Sequence, residues 1–151
     1  MVRCVACVCI GVLILGLYFP QVAGADDTER AGYYMPVNPP PGFADLQWIA
    51  LIDKRFVPSG SPKGLIRIGT EERWRDFPFR SVSLKGDDIT FTTASVNGES
   101  FGFRGRFIAK PQPIENDSDR DRIILVGTLT RNRGGTVVSA SKLRFAYTPG
   151  D

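Results

Sequence analysis

Histidine is missing altogether from the 151 residues, and the three cysteines all fall within the first nine positions. Without imidazole there is no Ser-His-Asp or Cys-His nucleophile and no imidazole general base. Zinc and copper sites built on nitrogen and sulfur are excluded with it. No glycine-rich loop is followed by Lys-Ser or Lys-Thr and a helix, so no phosphate cradle is expected. Charge of one sign is not concentrated: Lys+Arg 19 against Asp+Glu 16 leaves a net +3. No basic run is long enough for a nucleic-acid tail. Helical periodicity and internal repeats are also wanting. The chemistry left to an enzyme is that of carboxylate pairs, a Lys-Ser pair or tyrosine.

What is present begins with an export signal. Arg3 precedes an unbroken apolar run from Cys4 to Phe19, Pro20 stops it, and Ala23-Gly24-Ala25 offers a small-x-small cleavage site. That order reads as a cleaved signal peptide over 1–25, and the run is too short for a membrane span. Cleavage would send the chain to the periplasm or the exterior and remove Cys4, Cys7 and Cys9. The mature chain would then rely on its core, with no disulfide, thiolate metal site or cofactor.

Residues 26–45 read as a Pro-rich arm in coil, because Asn38-Pro39-Pro40-Pro41-Gly42 must be extended or turning. Tyr33, Tyr34, Met35 and Phe43 make it too apolar for a free linker, so it should lie against the domain formed by 46–151. There the pattern is that of strands, at 46–53, 63–69, 79–85, 88–96, 99–109, 122–130 and 135–147. Residues 70–77 read as a short helical turn or an eighth strand.

Turn lengths can be tested against the faces, because cross-strand neighbours share a side. A two-residue Gly86-Asp87 loop pairs Leu84 with Ile89, Val82 with Phe91, and Lys85 with Asp88. A three-residue loop, Val96-Asn97-Gly98, sets Phe91 opposite Phe103 and Ile89 opposite Gly105, whereas a two-residue Asn97-Gly98 turn would break that phase. A five-residue loop, Arg131 to Gly135, keeps Ile123, Leu125 and Leu129 in phase with Val137, Leu143, Phe145 and Tyr147. Three turns thus agree on one shared apolar face over 79–147. The expected fold is all-β: a small antiparallel up-and-down barrel or curved meander of seven to eight strands, with a two-sheet sandwich as the alternative. It resembles the lipocalin barrel in architecture only; the Gly-x-Trp motif of that family is absent around Trp48.

Two sets of residues are candidates for function. The inward set is Trp48, Phe91, Phe103 and Tyr147 with the small residues Gly105, Gly127, Ser139 and Ser141. These either shape the taper or leave room for a small apolar ligand. Ala94, Ile124, Val126 and Val138 form the second set, on the outer face. They are covered by the arm or serve a protein partner or a second copy of the chain. Trp74, between two arginines, should be half-exposed. The Glu115–Asp121 loop alternates carboxylates but lacks EF-hand spacing, and Asn116-Asp117-Ser118 is a glycosylation sequon. The leading expectation is an exported, non-catalytic barrel that binds a small apolar ligand or a protein. A structural or interaction subunit is the alternative. A carboxylate hydrolase using Asp87 and Asp88 comes third, and it conflicts with their place at a hairpin tip.

Overall fold

The computed structural model describes residues 30–113 and 122–148. The export signal, the acidic loop and the sequon lie outside them. The described residues form eight antiparallel strands: β1 (Gly32–Pro36), β2 (Leu46–Leu51), β3 (Gly64–Ile68), β4 (Arg75–Lys85), β5 (Asp88–Thr93), β6 (Glu99–Pro113), β7 (Arg122–Arg133) and β8 (Thr136–Thr148). Each strand pairs with its neighbour in sequence, and β1 pairs with β8, so one sheet closes into an up-and-down barrel. That closure excludes the sandwich.

The closing strand comes from the segment read as coil. Gly32-Tyr33-Tyr34-Met35-Pro36 is short and ends at proline, which hides its strand period. Tyr34 points inward with no exposure, while Tyr33 and Met35 face out at 39% and 40%. Residues 70–77 do not make a strand of their own. A tight turn, in which the Arg73 amide donates to the Thr70 carbonyl at 2.8 Å, leads straight into the long β4.

The predicted pairings hold in the first two hairpins. Leu84 faces Ile89, Val82 faces Phe91 and Lys85 faces Asp88 around Gly86-Asp87. Phe91 faces Phe103 and Ile89 faces Gly105. In the last hairpin the inward phase of Leu125, Leu129, Leu143 and Phe145 holds but the register does not: a five-residue loop would set Leu129 opposite Val137 and Leu125 opposite Ser141, whereas Leu129 faces Ser141, Leu125 faces Phe145 and Val137 is 57% exposed. Two of the predicted loops, however, are shorter than phase alone suggested. Val96 bridges Glu99 around a two-residue Asn97-Gly98 turn with φ of 51° and 75°. Arg133 faces Thr136 around Gly134-Gly135, with φ of 57° and 84°. Positive φ at both positions marks turns of the primed type, whose twist suits the flanking strands.

The odd residue that parity demands sits inside the ladders. Thr93-Ala94-Ser95 lie opposite only Ser100-Phe101, and the Phe101 amide is satisfied by the Thr93 hydroxyl at 2.9 Å. Val138 is the surplus residue between the Arg131–Ser139 and Asn132–Val137 pairs. Arg80 is the surplus residue between Phe79–Thr93 and Ser81–Thr92. Bulges change phase as well as an extra loop residue does, and they add the twist a small barrel needs.

Phenylalanine rings fill the interior. Phe79 stacks on Phe91 at 4.1 Å, Phe91 on Phe103 at 5.2 Å, and Phe103 meets Phe145 edge-on at 5.8 Å. Both ends are capped. At one, the 3₁₀ turn Pro41–Phe43 inserts Phe43, which is fully buried. Arg131 lies over Phe43 and Phe101, 2.6 Å from Asp45 and 3.3 Å from the buried Glu99, which also takes Arg75 at 2.8 Å. At the other end Arg30 covers Phe107 at 4.5 Å and reaches Asp87 at 2.9 Å. Below it the buried Tyr34 hydroxyl donates to the Arg30 carbonyl, and burial, reinforced by Tyr147, pushes its pKa well above the usual tyrosine value.

Candidate functional surface

The inward candidates are packed against one another. Phe91 and Phe103 are 3% and 4% exposed. The Phe103 ring lies directly over Gly105 and Gly127, which face each other on β6 and β7. A Cβ at Gly105 would sit 2.5 Å from that ring, and one at Gly127 2.4 Å from its tip and 2.6 Å from the Arg104 carbonyl. Space next to the small residues therefore belongs to a ring of the protein itself. Ser139 lies against the end-capping turn: a Cβ on Gly42 would be 2.4 Å from its hydroxyl, so position 42 has room only for glycine. Ser141 is half-buried beside Leu129, and Tyr147 packs on Tyr34 while donating to the Ala31 carbonyl at 2.9 Å.

Trp48 does not join them. A bulge between Leu46 and Trp48 breaks the alternation, so Leu46 and Ile49 go in and Trp48 comes out. Its cross-strand partner is Arg67, whose own partner on β4 is Asp76. The Arg67 guanidinium lies 4.6 Å from the Trp48 ring and 4.6 Å from the Trp74 ring, filling the gap between them. Asp76 grips its edge through two bonds of 2.7 Å, in the bidentate geometry that fixes a guanidinium plane. The hydrogen bond from Arg67 holds the Asp76 carboxyl below its ordinary pKa against the desolvation that opposes it, and raises Arg67 in return. Tyr33 completes the row, edge-on to Trp48 at 5.0 Å. Trp74 is 49% exposed, as its arginine neighbours implied, and Phe56 in the β2–β3 connection is 79% exposed. The outside of β1–β4 is thus a rigid aromatic face. Its sequence signal was indirect: Ile66 and Ile68 inward force Arg67 outward, and Trp48 follows by cross-strand register.

The outer set is not brought together. Ala94 lies in the bulge after β5, Val138 sits near the β7–β8 tip at 52% exposure, and Ile124 and Val126 lie half-buried further along β7. The arm does not cover them, because its strand is part of the wall. Asp87 and Asp88 do sit at the hairpin tip, 57% and 61% exposed. Each is engaged by an arginine, Asp87 by Arg30 at 2.9 Å and Asp88 by Arg106 at 3.0 Å, so Lys85 is not the partner of Asp88. Each carboxylate therefore has a cation of its own at the solvent-exposed tip.

Among the described residues no group of three or more acidic, Cys or His side chains is placed to hold a metal ion, and no helix is long and apolar enough to cross a membrane. No family model, curated protein or solved structure matches this chain.

Proposed function

We propose that this is an exported, non-catalytic binding barrel that works through the outside of its wall, and that the aromatic face of β1–β4 receives a protein partner. The observation that carries the reading is the Trp48–Arg67–Trp74 stack clamped by Asp76. Trp, Tyr and Arg dominate the energetics of protein interfaces, and side chains already held in one rotamer lose little entropy on docking. Exposed Phe56 and Met35 extend the face beyond the clamp. A small apolar ligand in the interior is less well supported, because it would have to displace the Phe103 ring from above Gly105 and Gly127. Export rests on the sequence pattern at 1–25 and places the partner outside the cytoplasm.

The test is site-specific photo-crosslinking in the producing cell. A photoreactive phenylalanine at Trp74 should yield one discrete protein adduct that disappears when Trp48 is changed to alanine. The same probe at Glu71, on the turn before β4, should yield none. Equal adduct patterns from both positions, or no adduct at Trp74, would contradict the reading. N-terminal sequencing of the mature protein should begin at Asp26; an intact Met1 would remove the export step.

A further inference from the structure

The far side of the barrel offers a different chemistry. The outward positions of β4–β7 line a shallow groove of about 520 Å³ whose rim is made of short hydroxyl side chains, among them Ser81, Ser83, Thr90, Thr92, Thr128 and Thr130. Gly102 forms its floor, and a Cβ there would meet nothing within 4 Å. The groove continues past the Arg80 bulge into a second hollow of about 460 Å³ bordered by Lys63 and Arg80. Beside the hydroxyls, cross-strand register sets Arg104 next to Thr128 and Thr128 next to Lys142, and sets Arg106 next to Val126 and Val126 next to Arg144. Four cations thus form a two-by-two array, each pair separated by one neutral residue of β7. That puts their attachment points roughly 10 Å apart across the sheet, twice the interstrand spacing. Arg106 is engaged by Asp88, whereas among the described residues Arg104, Lys142 and Arg144 have no carboxylate partner.

Neighbouring cations left unneutralised favour a polyanion, and the regular spacing favours one with charges at intervals. The hydroxyl rim selects further. Ser and Thr both donate and accept, as sugar hydroxyls and carboxylates require. No aromatic ring faces outward in the groove to stack a nucleic-acid base, because Phe91 and Phe103 lie beneath it with their rings in the core. An amphipathic anchor for a lipid surface would need an apolar row, and the rim supplies hydroxyls in its place. We infer that the outer groove of β4–β8, floored by Gly102 and flanked by Arg104 and Lys142, is a binding site for an acidic polysaccharide. It stands apart from the aromatic face and from the partner proposed for it.

The probe is polygalacturonate, with neutral dextran, single-stranded poly-dT and phosphatidylglycerol vesicles as comparisons. Affinity should be measured by calorimetry and by electrophoresis through polysaccharide-loaded gels. Polygalacturonate should bind, dextran should not, and added salt should weaken the complex as it screens exposed charge. The double variant Arg104→Gln/Lys142→Gln should weaken binding about tenfold. Gly102→Leu, which fills the groove without touching a charge, should weaken it by a similar factor while circular dichroism and melting stay those of the parent. The charge-matched control Arg73→Gln/Arg133→Gln should bind nearly as the parent does. The proposal is overturned if polygalacturonate does not bind or if the control pair loses as much as the groove pair. It is likewise overturned if Gly102→Leu binds normally, or if poly-dT or vesicles bind as tightly as polygalacturonate. None of these outcomes depends on the aromatic face, so Trp74→Ala should leave polygalacturonate binding intact.

Discussion

Two stretches of one wall, built on the same strand period, present opposite kinds of surface. On β1–β4 the outward residues hold one another: Arg67 is fixed by two indole rings and a carboxylate before anything docks. On β5–β8 short hydroxyls and cations facing water line the groove, with Arg104 and Lys142 separated by neutral Thr128. The first surface is pre-organised and its energy is in packing. The second is solvated, and its energy is long-ranged and sensitive to salt. Both depend on a shared interior that fixes which side chains point outward.

Substitution at that interior should have the largest effect and should disturb both surfaces at once. Phe103→Ala removes the ring that touches Phe91, Phe145 and both facing glycines, and should cost about 3–5 kcal/mol in chemical denaturation. A smaller cost would mean the ring is not the keystone of the layer. On the aromatic face, Trp74→Ala should cost only about 0.5–1 kcal/mol, the size of an exposed cation–π contact. Loss of several kcal/mol would make the stack structural and weaken its case as an interface.

Acid should separate the two surfaces next. The folded Asp76 carboxyl titrates below its ordinary value, so its contribution to stability is present above the unfolded carboxylate pKa, about 4. It is lost as pH falls through the lower folded value. Tryptophan emission followed below about pH 4 should change as the Arg67 clamp opens. In Asp76→Asn the emission should already be that of the open clamp at neutral pH and should lack the step. The smallest effect belongs to the far side: Arg104→Gln/Lys142→Gln should shift stability by no more than about 0.5 kcal/mol, as for solvated surface residues generally. A larger shift would mean these cations have structural partners.

The barrel was legible because phase is a strong constraint. Once Phe91 must share a side with Phe103, and Leu125 with Phe145, the inward face of these strands follows whatever the loops do, while the β7–β8 register shifts by four residues with the shorter turn. Two of the three loops are shorter than the alternation implies because a bulge and an extra turn residue shift parity identically, and sequence alternation does not say which of the two is used. Thr93 could have hinted at the bulge, since its hydroxyl takes the orphaned Phe101 amide. β1 escaped notice because five residues ending in proline carry too little period, and only its closure against β8 gives it a partner. Trp48 faces out against the simple alternation for a related reason: one bulge beside Gln47 reverses the face of everything after it. The aromatic site is a product of cross-strand geometry among β1, β2, β3 and β4, and such proximity is not written in local spacing.

The account turns on an interior filled by the chain's own rings, which moves binding to the outside. A double-mutant cycle joining Phe103→Leu and Gly127→Ala tests this most directly, because the new methyl would press on the Phe103 ring at 2.4 Å. Replacing the ring should relieve its share of the methyl's cost, a coupling of about 1–2 kcal/mol, while the contact with the Arg104 carbonyl at 2.6 Å remains. Costs that add to within about 0.5 kcal/mol would place the ring elsewhere and reopen the interior as a binding site.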